Sequence, residues 1–142
     1  MSFTKMVKKI SLRKLEIPLE DNLEKDLEWL CETLGLVSGR DLERTAIKIL
    51  YNILDAQASK DGITSEELAD KLSLSRGAIN YHLRSLIDSG LLTREKNMIK
   101  LRSSSILRTI NELKKEIDDI FSDVMKISEH LDNHFGLKNR EL

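Results

Sequence analysis

Residues 64–102 read TSEELADKLSLSRGAINYHLRSLIDSGLLTREKNMIKLR, and this stretch decides the fold. Thr64-Ser65-Glu66-Glu67 is a capping box, with Glu67 three residues after Thr64, and it opens a short helix. Leu68, Ala69 and Leu72 supply that helix with a buried face. Ser73-Leu74-Ser75 is a tight turn, and Ser75 can cap the helix that follows. That second helix stops at Ser89-Gly90, where glycine can take a left-handed cap. Leu91 to Arg94 and Met98 to Arg102 then read as short strands around Glu95-Lys96-Asn97, and Asn97 tolerates the positive φ of a tight hairpin.

Two helices, a turn and a hairpin in that order make a winged helix-turn-helix, whose second helix usually enters the DNA major groove. On a helical wheel Ile79, Leu83 and Leu86 cluster on one side and must face the core. Gly77, Tyr81, Arg84 and Asp88 point the other way, with Ala78, Asn80 and Ser85 on the flanks and Arg76 at the helix start. Each type has a use there. Arg can hold guanine and Asn can hold adenine by paired hydrogen bonds, and Tyr can pack on a thymine methyl. Gly77 lets the backbone come close, and Ser75 with the first-turn N–H groups suits a phosphate. In the hairpin, Arg94, Lys100 and Arg102 share strand parity opposite to Ile99 and Leu101, which predicts that the three cations face outward. Lys96 lies at the tip, where it would meet phosphate or the minor groove. Any one of these cations also fits a solvated surface, Asp88 fits a solvated helix end, and His82 fits packing at the core edge. The combination is far more specific than its parts.

Over residues 72–95, LSLSRGAINYHLRSLIDSGLLTRE, the chain resembles the ArsR-type winged-helix transcription regulators, and MarR-type regulators look similar over the same stretch. The resemblance implies a DNA-reading helix holding Ser75, Arg76, Ala78, Asn80, Tyr81 and Arg84. The metal-sensing members of that family carry a cysteine-containing box on the DNA-binding helices. Residues 64–89 contain no Cys, and no metal or cofactor is expected. His130 and His134 stand one helical turn apart and could hold a metal between protomers, but a packing or surface role fits the end of their helix better.

Working outward, residues 7–19 alternate in part, with Ile10 and Leu12, then Leu15, Ile17 and Leu19. This predicts one strand with a bulge, or two short strands. Leu23, Leu27, Leu30 and Leu34 form one stripe of a helix over about residues 20–34, stopped by Gly35. Ser38 and Asp41 suit the cap of another helix reaching Ala58, with Leu42, Ala46, Ile49, Leu50, Ile53 and Leu54 inward. Trp29 and Cys31 fit packing, although a thiol linking two chains stays open.

From about Ser104 to His134 a long helix is predicted. Ile106, Ile110, Leu113, Ile117, Ile120, Val124, Ile127 and Leu131 make a heptad seam, and Phe121 and Met125 widen it. At about 1.5 Å per residue the helix is roughly 45 Å long. The seam must pack on the Leu23–Leu34 helix of the same chain, on the same helix of a second chain, or on both. A homodimer using both is the favoured reading, because paired DNA readers match paired half-sites.

The fold class is therefore mainly α with a small β-hairpin. Residues 1–40 form an N-terminal strand-like segment and helix, 41–102 the winged domain, and 103–142 the dimerisation helix. The 142 residues carry a net charge of −1, but residues 75–102 hold six basic and two acidic side chains, and residues 1–18 hold five and one. Local positive charge in an acidic chain suggests an oriented nucleic-acid surface. A single cysteine excludes an internal disulfide. No run of 18 apolar residues suits a membrane, and the start lacks a secretory h-region, so a cytoplasmic protein is expected. No phosphate loop, nucleophile elbow or HExxH argues for an enzyme, and the pairs Glu66-Glu67 and Asp118-Asp119 diverge on their helices. The expected function is a homodimeric, sequence-specific regulator that binds double-stranded DNA. The alternative is a winged-helix and coiled-coil interaction subunit of a transcription or chromatin assembly.

Overall fold

The computed structural model describes residues 9–37 and 44–137. In chain order these form α1 (Leu23–Thr33), α2 (Thr45–Ser59), β1 (Ile63–Thr64), α3 (Ser65–Leu72), α4 (Arg76–Asp88), β2 (Leu92–Glu95), β3 (Met98–Leu101) and α5 (Ile106–Phe135). The fold is mainly helical, with a winged helix-turn-helix and a long C-terminal helix.

The helix-turn-helix forms where local chemistry asks for it. Thr64 accepts from the Glu67 N–H at 3.1 Å, and the Glu67 carboxylate accepts in return from the Thr64 N–H at 3.3 Å. The Lys60 ammonium, then Thr64, hold the Glu67 carboxyl below the usual carboxylate range. α3 ends at Ser73 in the left-handed region, and Ser75 caps α4 through the Ala78 N–H at 3.1 Å. Ile79, Leu83 and Leu86 are fully buried, as their spacing predicts, and pack with Ile49, Leu50 and Ile53 of α2 and Leu68 of α3 in one core.

The sheet has three strands in the order β1-β3-β2, all antiparallel. β1 is absent from the sequence reading, because two residues are too few to show an alternation. Ile63 pairs with Ile99 and is buried, so β1 ties the start of the helix-turn-helix to the wing.

Residues 9–19 contain no strand, contrary to expectation. The segment is tied to helix ends instead of a ladder. The Lys9 N–H donates to the Asp88 carbonyl at 3.1 Å, and the Arg13 N–H donates to the Thr33 carbonyl at 3.0 Å. Asp88 and Thr33 are the last residues of α4 and α1, whose final carbonyls have no partner within their own helix. Leu12, Ile17 and Leu19 are exposed, so their alternation marks no buried face.

The apolar stripe of α1 is also shorter than its spacing predicts: Leu27 is buried with Cys31, whereas Leu23 is exposed. Burial of Cys31 within the chain leaves no surface thiol to link a second one. α2 starts at Thr45 behind Arg44, which sits at φ 58 and bridges to Glu28 and Glu32 of α1. Ala46, Ile49, Leu50 and Ile53 are buried as expected, and Leu54 packs at the core margin. The expected cap at Ser38 and Asp41, and Leu42, lie outside the described residues.

The root of α5 is braced by polar side chains. Gln57 of α2 accepts from the Leu101 N–H at 2.7 Å and donates to the Ser103 carbonyl at 3.4 Å. The Thr109 hydroxyl is fully buried, accepting from the Ser103 N–H and donating to the Ser105 carbonyl. Leu113 is 2% exposed, and Ile106 and Ile110 pack against the core. From Asp118 to Leu137 every residue is exposed. The eight-residue seam therefore divides: its first part is spent within the chain, and only its second part lies open.

Candidate nucleic-acid interface

α4 presents its outer face to solvent: of the residues the wheel placed there Gly77, Tyr81 and Arg84 are exposed, whereas Asp88 is half-buried. On the flanks Asn80 is exposed and Ala78 is half-buried. Arg76 stands at the first position of the helix with its side chain 73% exposed, 3.8 Å from Glu66. An exposed pair of that length is worth little, so Arg76 is available for another partner. Tyr81 is 62% exposed and sits edge-on to His82, with ring centroids 5.1 Å apart. His82 is half-buried beside it, in keeping with packing. Ser75 already spends its hydroxyl oxygen on the helix cap.

Gly77 has no packing reason among the described residues. A Cβ there would meet only the Ser75 hydroxyl, at 3.9 Å. Glycine in a helix costs roughly 0.5–1 kcal/mol relative to alanine. No contact among the described residues offsets that cost.

The wing departs from the sequence reading at two places. Lys96 and Asn97 form the turn with φ of 49° and 69°, the pair of positive values a two-residue hairpin requires. This turn sets Glu95 opposite Met98, Arg94 opposite Ile99 and Thr93 opposite Lys100. Cross-strand partners share a face. Arg94 therefore lies on the face of Ile99 and Leu101, while Lys100 lies on the other. Arg94 projects from the edge of that inner face toward α4 and donates to the Asn80 side-chain oxygen at 3.0 Å. Lys100 borders a recess with Gln57, Asp61, Thr93 and Glu95, two of them acidic. Lys96 is exposed at the tip.

Arg102 does not face outward either. Its side chain is 11% exposed and forks onto Glu116, with one contact at 2.9 Å, while its Nε lies 3.1 Å from Glu112. Hydrogen bonding to Glu116 raises the guanidinium above its ordinary value, against the desolvation of burial. It is a structural tie between wing and α5. Sequence parity misses both outcomes. The sidedness of Arg94 depends on turn length, and the partner of Arg102 lies fourteen residues away.

The candidate interface is thus a surface built on the N-terminal half of α4, extended by Arg94 at one flank, Lys96 at the wing tip and Arg84 toward the C-terminal end. Among the described residues no three His, Cys, Asp or Glu side chains are grouped to hold a metal. His130 and His134 are exposed, and His134 packs edge-on against Phe135. Among the described residues no helix is long and apolar enough to cross a membrane.

Comparison with curated proteins finds a probable polyketide synthase from Dictyostelium discoideum that is 26% identical over 133 residues. The match takes in 89% of this chain, and the chain spans 5% of that protein. No solved structure matches the chain. The family of winged helix-turn-helix DNA-binding domains matches residues 42–93, the stretch that holds α2, the helix-turn-helix and the start of the first wing strand, so this part of the chain is a winged helix-turn-helix DNA-binding domain.

Proposed function

We propose that the protein is a homodimeric, sequence-specific transcription regulator of the ArsR-like kind, non-enzymatic and cytoplasmic. α4 enters the major groove, and the wing lies along the backbone or minor groove. One observation carries the reading: Arg76, Asn80 and Tyr81 share an open helix face with a glycine that serves no packing purpose among the described residues, and a wing arginine holds Asn80 in place. Arg76 and Asn80 are the base readers. Ser75, Gly77, Ala78 and Tyr81 shape the approach, and Arg84, Arg94 and Lys96 supply charge to the phosphates. Lys100 and Arg102 take no part.

The test is selection from a mixed duplex pool, comparing the wild type with an Arg76→Ala/Asn80→Ala variant. The wild type should enrich a two-fold symmetric motif. The variant should lose preference at the positions those side chains read, at about 1–3 kcal/mol for each. Enrichment of the same motif by both would remove α4 from base reading.

A second variant separates stability from binding. Gly77→Ala should raise the melting temperature, because alanine is the better helix residue by roughly 0.5–1 kcal/mol. It should also weaken binding to the selected duplex, because the added methyl stands where the DNA comes close. Titration of that duplex with equal or tighter affinity would show that Gly77 leaves room for nothing.

The exposed apolar half of α5 also favours a second reading, an interaction subunit of a transcription or chromatin assembly. That reading expects no motif from the selection and weak binding erased by salt.

A further inference from the structure

Residues 9–19 are net positive, lack helix and strand, and are nevertheless pinned across the back end of α4. The Lys9 N–H is bonded to the carbonyl of Asp88, the last residue of α4. Two residues on, Ser11 lies on Gly35 so closely that a Cβ there would stand 2.6 Å from the Ser11 carbonyl oxygen. Gly35 is also at φ +69, so the site favours glycine twice over. The Arg13 N–H is bonded to Thr33, and the Trp29 indole N–H donates to the Leu15 carbonyl at 3.4 Å. Four contacts thus fix the path of residues 9–15 without a strand.

The fixed path leaves a notch of about 220 Å³ beside α4, lined by Lys9, Ser11, Gly35, Arg84, Ser85 and Asp88 together with Leu36. Arg84 belongs to the same outer stripe as Gly77 and Tyr81, at spacings of four and three residues. The notch therefore continues the candidate interface at its C-terminal end. Lys9 and Arg84 bring two positive charges to it and Asp88 one negative, so it is net cationic, with two serine hydroxyls at hand.

We propose that this notch seats a backbone phosphate of the bound DNA, held between Lys9 and Arg84, so that the N-terminal segment is part of the DNA interface. The proposal rests on the reading of α4 as the groove helix. A recognition helix meets bases with its first turns, and its far end rises toward the sugar–phosphate rim. Cations at that end meet phosphates, which give affinity and register with no sequence information. The backbone tethers place Lys9 there before DNA arrives, which lowers the ordering cost of the contact. Among the described residues 9–18, Lys9, Arg13 and Lys14 are basic and Glu16 is acidic, so the pinned stretch is itself net positive beside α4.

The experiment uses the full chain and titrates the selected duplex and a scrambled duplex across 50–200 mM salt. Each phosphate contact contributes about 0.9 to the slope of log affinity against log salt. Lys9→Gln should lower that slope by about 0.9 on both duplexes, so its salt sensitivity across the range shrinks about three- to fourfold. Lys9→Arg should keep the slope. The exposed Lys9 side chain can be changed without loss of its backbone bond to Asp88, so a purely structural segment would show no change in either variant. An unchanged slope in Lys9→Gln overturns the proposal. If Arg76→Ala/Asn80→Ala still blurs the motif in that case, the DNA reading of α4 stands without the segment. If the wild type binds neither duplex, both fall together.

Discussion

An Ile120→Glu/Ile127→Glu variant should run as a folded monomer and lose most of its affinity for a two-fold symmetric site. In the single chain Ile120, Val124, Ile127 and Leu131 are 50–55% exposed and follow one another at spacings of four, three and four. Phe121, Met125 and Phe135 are more open still, at 59–69%. Scattered apolar side chains are ordinary on a surface, but a continuous stripe of this length marks a contact. A helix half projecting without tertiary support is also marginal in water, since most helical stability in proteins comes from packing an apolar face. Burying each aliphatic side chain in a partner contributes about 1.5–3 kcal/mol, and two carboxylates in that seam would repel and resist desolvation. None of these residues belongs to the core around α4, so the winged domain should keep its melting transition. Loss of the second half-site removes an avidity factor of roughly 10²–10⁴. Sedimentation and titration on full and half sites read both effects. A wild type that sediments as a monomer at concentrations that saturate the site would refute a helix-mediated dimer, as would a variant that stays dimeric.

Leu86→Ala should cost about 2–5 kcal/mol of stability, the largest effect expected of a single substitution in the winged domain. Leu86 has no exposed surface and sits on the inner face of α4 with Ile79 and Leu83, against a core shared with Ile49, Ile53, Leu91 and Leu92. The structure around it has helices on one side and the sheet on the other, so collapse into the vacated volume is limited. A domain of this size holds about 5–15 kcal/mol in all, so the variant should be near its unfolding limit at physiological temperature. Denaturant titration should move the midpoint and leave the slope unchanged. A cost below about 1 kcal/mol would mean that α4 is not seated on this core.

The elements legible in the sequence are those fixed by neighbours along the chain. The Thr64 capping box, the Ser75 cap, the α4 core spacing and the full run of α5 rest on residues three or four apart, and each forms where its spacing places it. The open face of α4 follows from the same wheel. What escaped depends on distant partners. The alternation at residues 9–19 reports an extended backbone, but extension does not say whether a strand or the carbonyl end of a helix accepts its N–H groups. β1 is a consequence of β3 and too short to signal itself. In the wing, parity along one strand says nothing about parity across the turn, so sequence parity groups Arg94 with Lys100 although the two lie on opposite faces. The heptad seam of α5 is real as a pattern, yet a pattern cannot say that Leu113 is spent inside the chain while Leu131 is not.

The tie between Arg102 and Glu116 has a mechanical meaning. It clamps α5 about one-third of the way along its length, next to the last residue of the wing. Beyond the clamp some nineteen residues extend to Phe135, an arm of roughly 28 Å at 1.5 Å per residue. The clamp is a fulcrum and the outer helix a lever, with the hairpin on the short side. Whatever grips the tip acts on the wing with the leverage of the whole arm, by a path that runs through Arg102 and Glu116, both outside α4.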